Sequence, residues 1–209
     1  MASLTDVLAH LDALLQPERF RDYGPNGLQV PGPEEVGHVV TGVSASLALH
    51  RRAAELGADL VLVHHGLFWG AGPARAIDRA LHRRLQPLFA HDMALAAYHL
   101  PLDAHPAVGN NALLAAGLGA SVAGPLGEHG GEAIGVEARF TEPIARDELI
   151  ARVRALTDRE PLAFAFGPDP VRSIGIVSGS AADDVEEAIA RGLDAFMTGE
   201  PAERAMAVA

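Results

Sequence analysis

The segment GADLVLVHHGLFWG, residues 57–70, carries the strongest structural pattern in the chain. Residues 58–63 form an apolar run of strand length, which follows a glycine suited to a helix C-cap and ends at a pair of histidines. An apolar strand without regular polar alternation is typical of a parallel sheet that helices cover on both faces. The segment therefore predicts an α/β protein with polar residues at the end of a buried strand.

The segments on either side of this run continue the alternation of strand and helix. Residues 38–43 predict a strand and residues 46–56 a helix before it, while residues 75–90 predict a helix and residues 93–98 a strand after it. This order favours a largely parallel sheet with right-handed crossovers, in which ligands bind beyond the carboxyl ends of the strands. We therefore expect strand 58–63 to lie beside the strand that ends at residue 98.

A second alternation follows a change in composition. Residues 120–131, ASVAGPLGEHGG, are rich in glycine and small residues, and they predict a boundary between two α/β halves, residues 1–122 and 123–209. In chain order, the second half predicts strand 133–140, helix 144–157, strand 162–166, strand 173–178, helix 182–191 and strand 195–198. The fold class expected from the whole pattern is α/β with mixed, largely parallel sheets.

The composition of the 209 residues excludes several classes of protein. No run reaches the roughly 18–20 apolar residues of a membrane-spanning helix, and residues 1–15 lack the basic start of a signal peptide. A formal net charge of −11 disfavours nucleic acid as a partner. We therefore expect a cytoplasmic protein with neither a membrane nor a nucleic acid as partner. The chain has no cysteine, so any metal must be held by nitrogen and oxygen ligands.

Several histidines and arginines have an ordinary explanation as exposed side chains. His10, His50 and His82 fall on predicted helices among charged neighbours, and His129 falls in the glycine-rich segment. The pair Arg83–Arg84 also falls on a predicted helix, where a solvated outer face explains it. Solvent exposure is the expected state of all of them.

His64 and His65 differ because they stand at the carboxyl end of the apolar strand. His99 and Asp103 follow the next predicted strand of the first half, and Glu200 follows the last predicted strand of the chain. Side chains at the ends of neighbouring parallel strands point into one cleft, where imidazole nitrogens and carboxylate oxygens can bind a metal ion. The alternative from spacing alone is a chance histidine pair, with Asp103 as the N-cap of the helix that follows.

The adjacent histidines also bear on the number of metal ions. In strand geometry the side chains of His64 and His65 diverge, so that one ion cannot easily take both. Two ions a few ångströms apart, bridged by carboxylate or hydroxide, would use one histidine each and would orient a bound water as a nucleophile at neutral pH. Mixed imidazole and carboxylate ligation suits Zn, Mn, Fe or Co, and the spacing does not choose among them.

Five segments, in order and spacing, resemble one known protein family. They are DYGPNGLQVPG (22–32), TGVSASL (41–47), GADLVLVHHGLFWG (57–70), AAYHLPLDAHPAVGNNALLAAGLG (96–119) and DAFMTGEPAERAMA (194–207). Together they resemble the Nif-three-like dinuclear metal-centre family, whose bacterial members are labelled GTP cyclohydrolase 1 type 2 homologues. The similarity covers essentially the whole chain.

The resemblance implies two intertwined, related α/β halves, assembly into a ring-shaped homohexamer, and two divalent metal ions in each subunit. The family's adjacent metal-binding histidines match His64 and His65, and its metal-binding aspartate matches Asp103. We therefore expect these three side chains to lie within roughly 7 Å of one another. His99 matches the histidine of the same H-x-x-x-D segment, and we expect His99 and Glu200 beside the ligands rather than on the metal.

One departure from the family pattern concerns the ligand set. The family normally continues to a final His-x-x-x-Glu pair that completes both metal sites, and this sequence stops at Ala209 before reaching it. An incomplete ligand set would weaken metal binding, so the resemblance implies a site that this chain can leave empty.

The leading functional hypothesis is a metal-dependent hydrolase that acts on a small, nucleotide-like substrate through a metal-bound hydroxide. The pattern specifies neither the substrate nor a catalytic residue beyond the metal ligands. The alternative is a non-catalytic metal-binding, regulatory or interaction protein. A closed coordination sphere would favour that alternative, because catalytic metal sites keep an open position.

Overall fold

A computed structural model describes residues 1–70 and 76–208 of the chain. The chain forms two compact units, Met1–Leu102 and Asp103–Ala209. Each unit contains a four-stranded sheet in which parallel and antiparallel strands are mixed. The predicted mixed α/β fold class is therefore confirmed. The predicted helix start at residue 75 lies outside the described residues.

The first unit alternates strands and helices along most of its length. Its elements are, in chain order, β1 (Ala2–Ser3), α1 (Leu4–Leu15), a short 3-10 helix (Pro17–Arg19), β2 (Gly27–Val30), β3 (Glu35–Val36), β4 (Val39–Ser44), α2 (Leu47–Glu55), β5 (Leu60–His65), α3 (Arg79–Ala90) and β6 (Ala94–Ala97). The main sheet has the order β2–β6–β5–β4, in which only the β2–β6 pair is antiparallel. Leu60 pairs with Ala94 and Val63 with Ala97, which confirms that the two predicted strands are adjacent.

The local sequence explains where the helices of this unit begin. At the start of α1 and α2, the hydroxyls of Ser3 and Ser46 accept hydrogen bonds from backbone N–H groups of the first turn. The carboxylate of Asp78 does the same at the start of α3. None of the helices described in the structure combines the length and the apolar character that crossing a membrane requires.

Side chains of the central strand β5 alternate between two apolar layers. Leu60 packs with residues of α1, whereas Val61 and Val63 pack with residues of α2 and α3 on the other face. Each of these buried side chains contributes about 1.5–3 kcal/mol relative to an exposed position. The sheet is therefore covered on both faces, as the apolar run predicted, and the next residues of β5 are His64 and His65.

The expectation of exposed histidines was right for His10 and His82 but wrong for His50 and His129. His129 is half-buried and lies 2.9 Å from a carboxylate oxygen of Asp184. His50 has no exposed surface, and its Nδ1 donates a hydrogen bond to the Arg84 carbonyl of α3 at 2.7 Å. Its Nε2 has no hydrogen-bond partner among the described residues. His50 lies on the inward face of α2, which the charged residues around it in the sequence did not indicate.

Burial of His50 makes the stability of the protein depend on pH. Burial lowers the pKa of His50 below its usual value of 6.5, the hydrogen bond to the Arg84 carbonyl opposes this, and the Arg84 charge adds to it. Below about pH 6.5 the unfolded chain binds a proton that the folded chain resists, so the free energy of unfolding should fall by up to about 1.4 kcal/mol per pH unit. The free energy of unfolding should stop falling once the pH is below the lowered pKa of His50 in the folded protein.

The variant His50→Asn tests this prediction because it retains a hydrogen-bond donor near the Arg84 carbonyl but does not titrate. Urea unfolding of both proteins between about pH 7.5 and about pH 5 should show a steeper loss of stability in the parent chain. His82→Asn, which changes an exposed histidine, is the control and should behave like the parent. Identical pH dependence in the parent and in His50→Asn would contradict the prediction.

The second unit is built on a sheet of order β10–β9–β8–β7, in which only β9 and β10 are parallel. Its elements are, in chain order, α4 (Leu100–Ala104, which begins in the first unit), α5 (Asn110–Leu118), β7 (Ala120–His129), β8 (Glu132–Ile144), α6 (Arg146–Thr157), β9 (Val171–Val177), α7 (Val185–Ala190) and β10 (Ala195–Thr198), with short 3-10 helices at Ala182–Asp184 and Glu203–Ala207. Its core contains Leu118 of α5, Leu149 of α6 and Ile176 of β9.

The second unit differs from its sequence prediction in two places. Residues 120–131 form the first strand and the turn of an antiparallel hairpin, in which Gly130 and Gly131 adopt positive φ angles of 66° and 96° between β7 and β8. The predicted strand 162–166 was wrong, since these residues have no regular structure in the described chain. Leu162 and Phe166 are each 68% exposed, so an apolar sequence alone did not produce a paired strand.

The division into compact units falls between Leu102 and Asp103. The composition placed the boundary between residues 122 and 123, a position that lies inside β7. The interpretation of residues 1–122 and 123–209 as two related, intertwined halves stays a prediction.

Candidate metal centre

Three imidazoles lie together at the carboxyl ends of β5 and β6. His64 and His65 are the last residues of β5, and His99 follows shortly after β6. One ring nitrogen from each histidine lies within 4.8 Å of the others, and all three side chains are partly buried. These nitrogens form a group that can hold a metal ion, and all of them belong to the first unit.

The predicted divergence of His64 and His65 was wrong. Both residues belong to β5, but their ring centroids are only 4.5 Å apart, with 39° between the ring planes. The rings therefore lean towards each other although both residues belong to the strand and His65 still pairs with Ser44 of β4. The geometry of this histidine pair is therefore no evidence for two ions rather than one.

Hydrogen bonds orient the rings of the adjacent histidines. Nδ1 of His64 lies 3.1 Å from the carbonyl oxygen of Tyr98. A carbonyl only accepts, so Nδ1 donates, and the neutral ring carries its lone pair on Nε2. Nδ1 of His65 lies 3.2 Å from the hydroxyl of Ser44, which can donate or accept. Metal-binding histidines commonly have such a partner on the ring nitrogen that does not bind the metal.

Asp22 orients His99, a role that its sequence context did not indicate. The Asp22 side chain is 2% exposed, and its Oδ1 accepts a hydrogen bond from His99 Nδ1 at 2.7 Å. Its Oδ2 accepts from the Asn26 side chain and from the Leu100 backbone N–H, each at 2.9 Å. Asp22 lies in a segment rich in turn-forming residues, 77 positions before His99, and no local pattern connects the two.

The environment of Asp22 favours its charged form. Burial acts to raise the pKa of Asp22, but the hydrogen bonds from His99, Asn26 and Leu100 outweigh it, so the pKa lies below its usual value. A carboxylate that accepts the Nδ1–H of an imidazole makes the other ring nitrogen a better electron donor. Asp22 therefore orients the His99 ring and engages its Nδ1, so that Nε2 is the nitrogen that can face a metal ion.

Trp69 forms one wall of the site, which was also not predicted. Its ring centroid lies 5.7 Å from that of His65 and 5.1 Å from that of His99, and both contacts are edge-on. Gln29 holds the loop that carries Trp69, because its Oε1 accepts a hydrogen bond from the Leu67 backbone N–H at 2.7 Å. The one signal in the sequence is that Trp69 is the single tryptophan of the chain.

Asp103 lies in the second unit, and its predicted proximity to the histidines stays a prediction. It is 6% exposed, and its Oδ1 accepts hydrogen bonds from the Asn110 side chain at 2.7 Å and from the Ser178 hydroxyl at 3.0 Å. The alternative of a helix N-cap was wrong, because Asp103 lies inside α4 and Gly109 occupies the N-cap of α5.

His99 and Glu200 were both expected beside the ligands rather than on the metal. The structure brings a nitrogen of His99 into the group with His64 and His65, so His99 is available as a third ligand. Glu200 follows β10, its side chain is exposed, and its backbone N–H donates to the Gly179 carbonyl at 3.0 Å. The roles of His99 and Glu200 stay predictions.

Together, the fold and the three imidazoles define an α/β protein with a histidine-based candidate metal centre. A family model described as DUF34/NIF3 (NGG1p interacting factor 3) matches residues 2–209. The chain therefore belongs to the DUF34/NIF3 family, which confirms the resemblance seen in its five segments.

Named relatives and solved structures agree with this assignment. A Vibrio cholerae protein named GTP cyclohydrolase 1 type 2 homolog is 45% identical over 200 residues, which cover 94% of this chain and 78% of the relative. The solved structure of the protein ybgI, described as of unknown function, has a TM-score of 0.91 and 40% identity, over 98% of this chain and 81% of that one. A solved structure from Thermus thermophilus has a TM-score of 0.81 and 36% identity, over 99% and 81% of the two chains.

Proposed function

We propose that this chain is a divalent-metal-dependent hydrolase, with His64 and His65 as metal ligands and His99 beside or among them. The observation that supports this most directly is the convergence of three imidazoles whose ring nitrogens lie within 4.8 Å of one another. We propose Asp103 as a carboxylate ligand on the strength of its match to the family's metal-binding aspartate.

The donor atoms and their spacing fit a divalent transition metal. Imidazole and carboxylate ligands without thiolate suit Zn, Mn, Fe or Co. An ion about 2.1 Å from each nitrogen limits any nitrogen–nitrogen separation to about 4.2 Å. The observed upper limit of 4.8 Å is larger than this value, so a single ion would require a small movement of the rings, whereas two ions about 3.5–4 Å apart could divide the imidazoles between them. We propose two ions because the chain resembles a dinuclear family.

A bound divalent ion would supply Lewis acidity and would lower the pKa of a coordinated water towards neutrality. The residues of the chain orient the site for this chemistry. The Tyr98 carbonyl and the Asp22 carboxylate keep Nδ1 of His64 and of His99 engaged, so that Nε2 of each ring can face an ion. The Trp69 ring makes edge-on contacts with His65 and His99 on one side of the imidazoles.

We propose a small, nucleotide-like molecule as the substrate. The relatives that carry the name GTP cyclohydrolase 1 type 2 homolog support this class. A cavity of about 640 Å³ also opens beside His65, and this volume is typical of sites that bind small molecules.

We also propose that the chain assembles as a ring-shaped homohexamer, and the support is the family resemblance alone. Light scattering coupled to size-exclusion chromatography should give a mass about six times the 21.8 kDa of one chain. A monomer or dimer at the concentrations used for activity measurements would contradict this assembly.

Metal-dependent turnover is the test of the hydrolase proposal. Chelator-treated protein should be inactive against a panel of nucleotides, and added Zn or Mn should raise the rate at least about a hundredfold. An assay for released phosphate detects hydrolysis in the phosphate chain of the nucleotide. Chromatography of the products detects hydrolysis in the base. A protein that binds metal tightly, without exchangeable water and without turnover, would instead support the non-catalytic metal-binding role.

A further inference from the structure

We propose that the cavity beside His65 binds the phosphate group of a small phosphorylated molecule, with Arg83 and Arg84 as the binding residues. The cavity measures about 640 Å³, and its walls come from the end of β4, the start of α2, the first half of α3 and residues 65, 66 and 69 at and after the end of β5. The inference rests on the proposed hydrolase function, because it assigns the site that would hold the substrate next to the metal centre.

The two arginines give this cavity a positive charge in a chain that is acidic as a whole. The sequence has 27 acidic and 16 basic residues, but no aspartate or glutamate is among the described residues that line the cavity. In the described part of the chain, neither Arg83 nor Arg84 forms an ion pair with a carboxylate. Guanidinium groups without an internal partner are suited to bind phosphate oxygens through charged hydrogen bonds.

The start of α2 adds backbone donors to the same cavity. Ser46 and Leu47 line it, and Leu47 is the first residue of α2, which spans nine residues. The Ser46 hydroxyl accepts from the Leu49 N–H, but the other N–H groups of the first helical turn have no partner within the helix, and the helix dipole favours an anion at this end. The start of α2 and the two arginines would therefore both attract an anion.

The position of the cavity connects a bound phosphate to the metal centre. His65 and Trp69 both line the cavity, and both also belong to the candidate metal centre. A molecule with its phosphate at Arg83 and Arg84 would have its remainder beside the imidazoles. Trp69 is 40% exposed, so its ring is available to contact a planar group of the same molecule.

His50 holds the two helices that form the cavity. Its hydrogen bond to the Arg84 carbonyl joins α2 to α3 at the residue that also supplies a proposed phosphate ligand. A wall that is rigid before the ligand arrives loses less entropy on binding. The buried histidine therefore supports this site although it is not among the residues that line the cavity.

Fluorescence of Trp69 can test the proposal, because it is the single tryptophan of the chain. The full chain, freed of metal and kept in chelator, is titrated with inorganic phosphate, with phenyl phosphate and with phenol at constant ionic strength. We expect saturable binding of phenyl phosphate, weaker binding of phosphate and none of phenol. The double variant Arg83→Gln/Arg84→Gln should weaken phenyl phosphate binding at least about tenfold.

Matched variants separate this site from general charge effects. Arg51→Gln removes the same charge from an exposed position of α2 that lines a different cavity, and it should bind phenyl phosphate like the parent. Arg83→Lys/Arg84→Lys should restore part of the binding, and thermal unfolding confirms that each variant is folded. If the double variant does not fold, the single variant Arg83→Gln replaces it in the titration.

Three results would overturn the inference: no saturable fluorescence change in the parent chain, equal weakening by Arg51→Gln, or equal binding of phenol. The measurement is independent of the hydrolase proposal because metal is absent throughout. Phosphate binding without turnover by the metal-loaded protein would reject the hydrolase and keep the site. Turnover without phosphate binding at the arginines would support the hydrolase and reject the phosphate site.

Discussion

Replacing His64 with alanine should weaken the binding of Zn or Mn by at least about a hundredfold, since loss of a partner outside the ligand shell alone costs about 10–100-fold. His64 supplies one of the three imidazole nitrogens that lie within 4.8 Å of one another, and a stable site built from nitrogen and oxygen donors needs most of its ligands. His65→Ala should have an effect of the same size. Competition with a coloured chelator measures the affinity of each variant.

The control for these substitutions is His10→Ala, which removes an exposed histidine from α1. It should bind metal like the parent chain. His99→Ala adds information, because a loss as large as that of His64→Ala would identify His99 as a ligand, and a smaller loss would place it beside the metal. Unchanged metal affinity in both His64→Ala and His65→Ala would show that the imidazole cluster is not a metal centre.

Replacing Asp22 with asparagine should lower metal affinity by about 10–100-fold without removing any ligand. The carboxylate of Asp22 accepts hydrogen bonds on both oxygens, from His99, Asn26 and Leu100. Asparagine has only one accepting oxygen, so its NH₂ group would face a donor and leave it without an acceptor. We expect the free energy of unfolding to fall by about 1–3 kcal/mol as well.

Asp59→Ala is the matched control for this loss of stability, because both donors to Asp59 meet one oxygen, Oδ2, which asparagine would retain. The Asp59 carboxylate accepts hydrogen bonds from the backbone N–H groups of Gly37 and His38, at 2.7 and 2.8 Å, and Asp59 precedes β5, at the end of the strand opposite to His64 and His65. The variant should be destabilised as Asp22→Asn is, but its metal affinity should not change. Calorimetric unfolding and metal titration of both variants separate the two effects. Equal losses of affinity would mean that Asp22 acts only through stability.

Local patterns in the sequence were sufficient for the elements that position the site. The apolar run at residues 58–63 correctly indicated a buried parallel strand, because a strand covered on both faces needs apolar side chains on both. The strand that ends at Ala97 was correctly expected beside it. His64, His65 and His99 could be assigned to one edge of the sheet, since the carboxyl ends of adjacent parallel strands lie together.

The sequence by itself therefore determined the α/β class, the position of the histidines and the family. Only the tertiary structure decided that the rings of His64 and His65 converge and that Asp22 holds His99. Only the tertiary structure, likewise, buried His50 and placed Arg83–Arg84 in a cavity. The physical reason is the range of the interactions. Periodicity reports which face of an element is apolar, whereas ring orientation, hydrogen bonds between distant residues and cavity walls depend on which elements pack together.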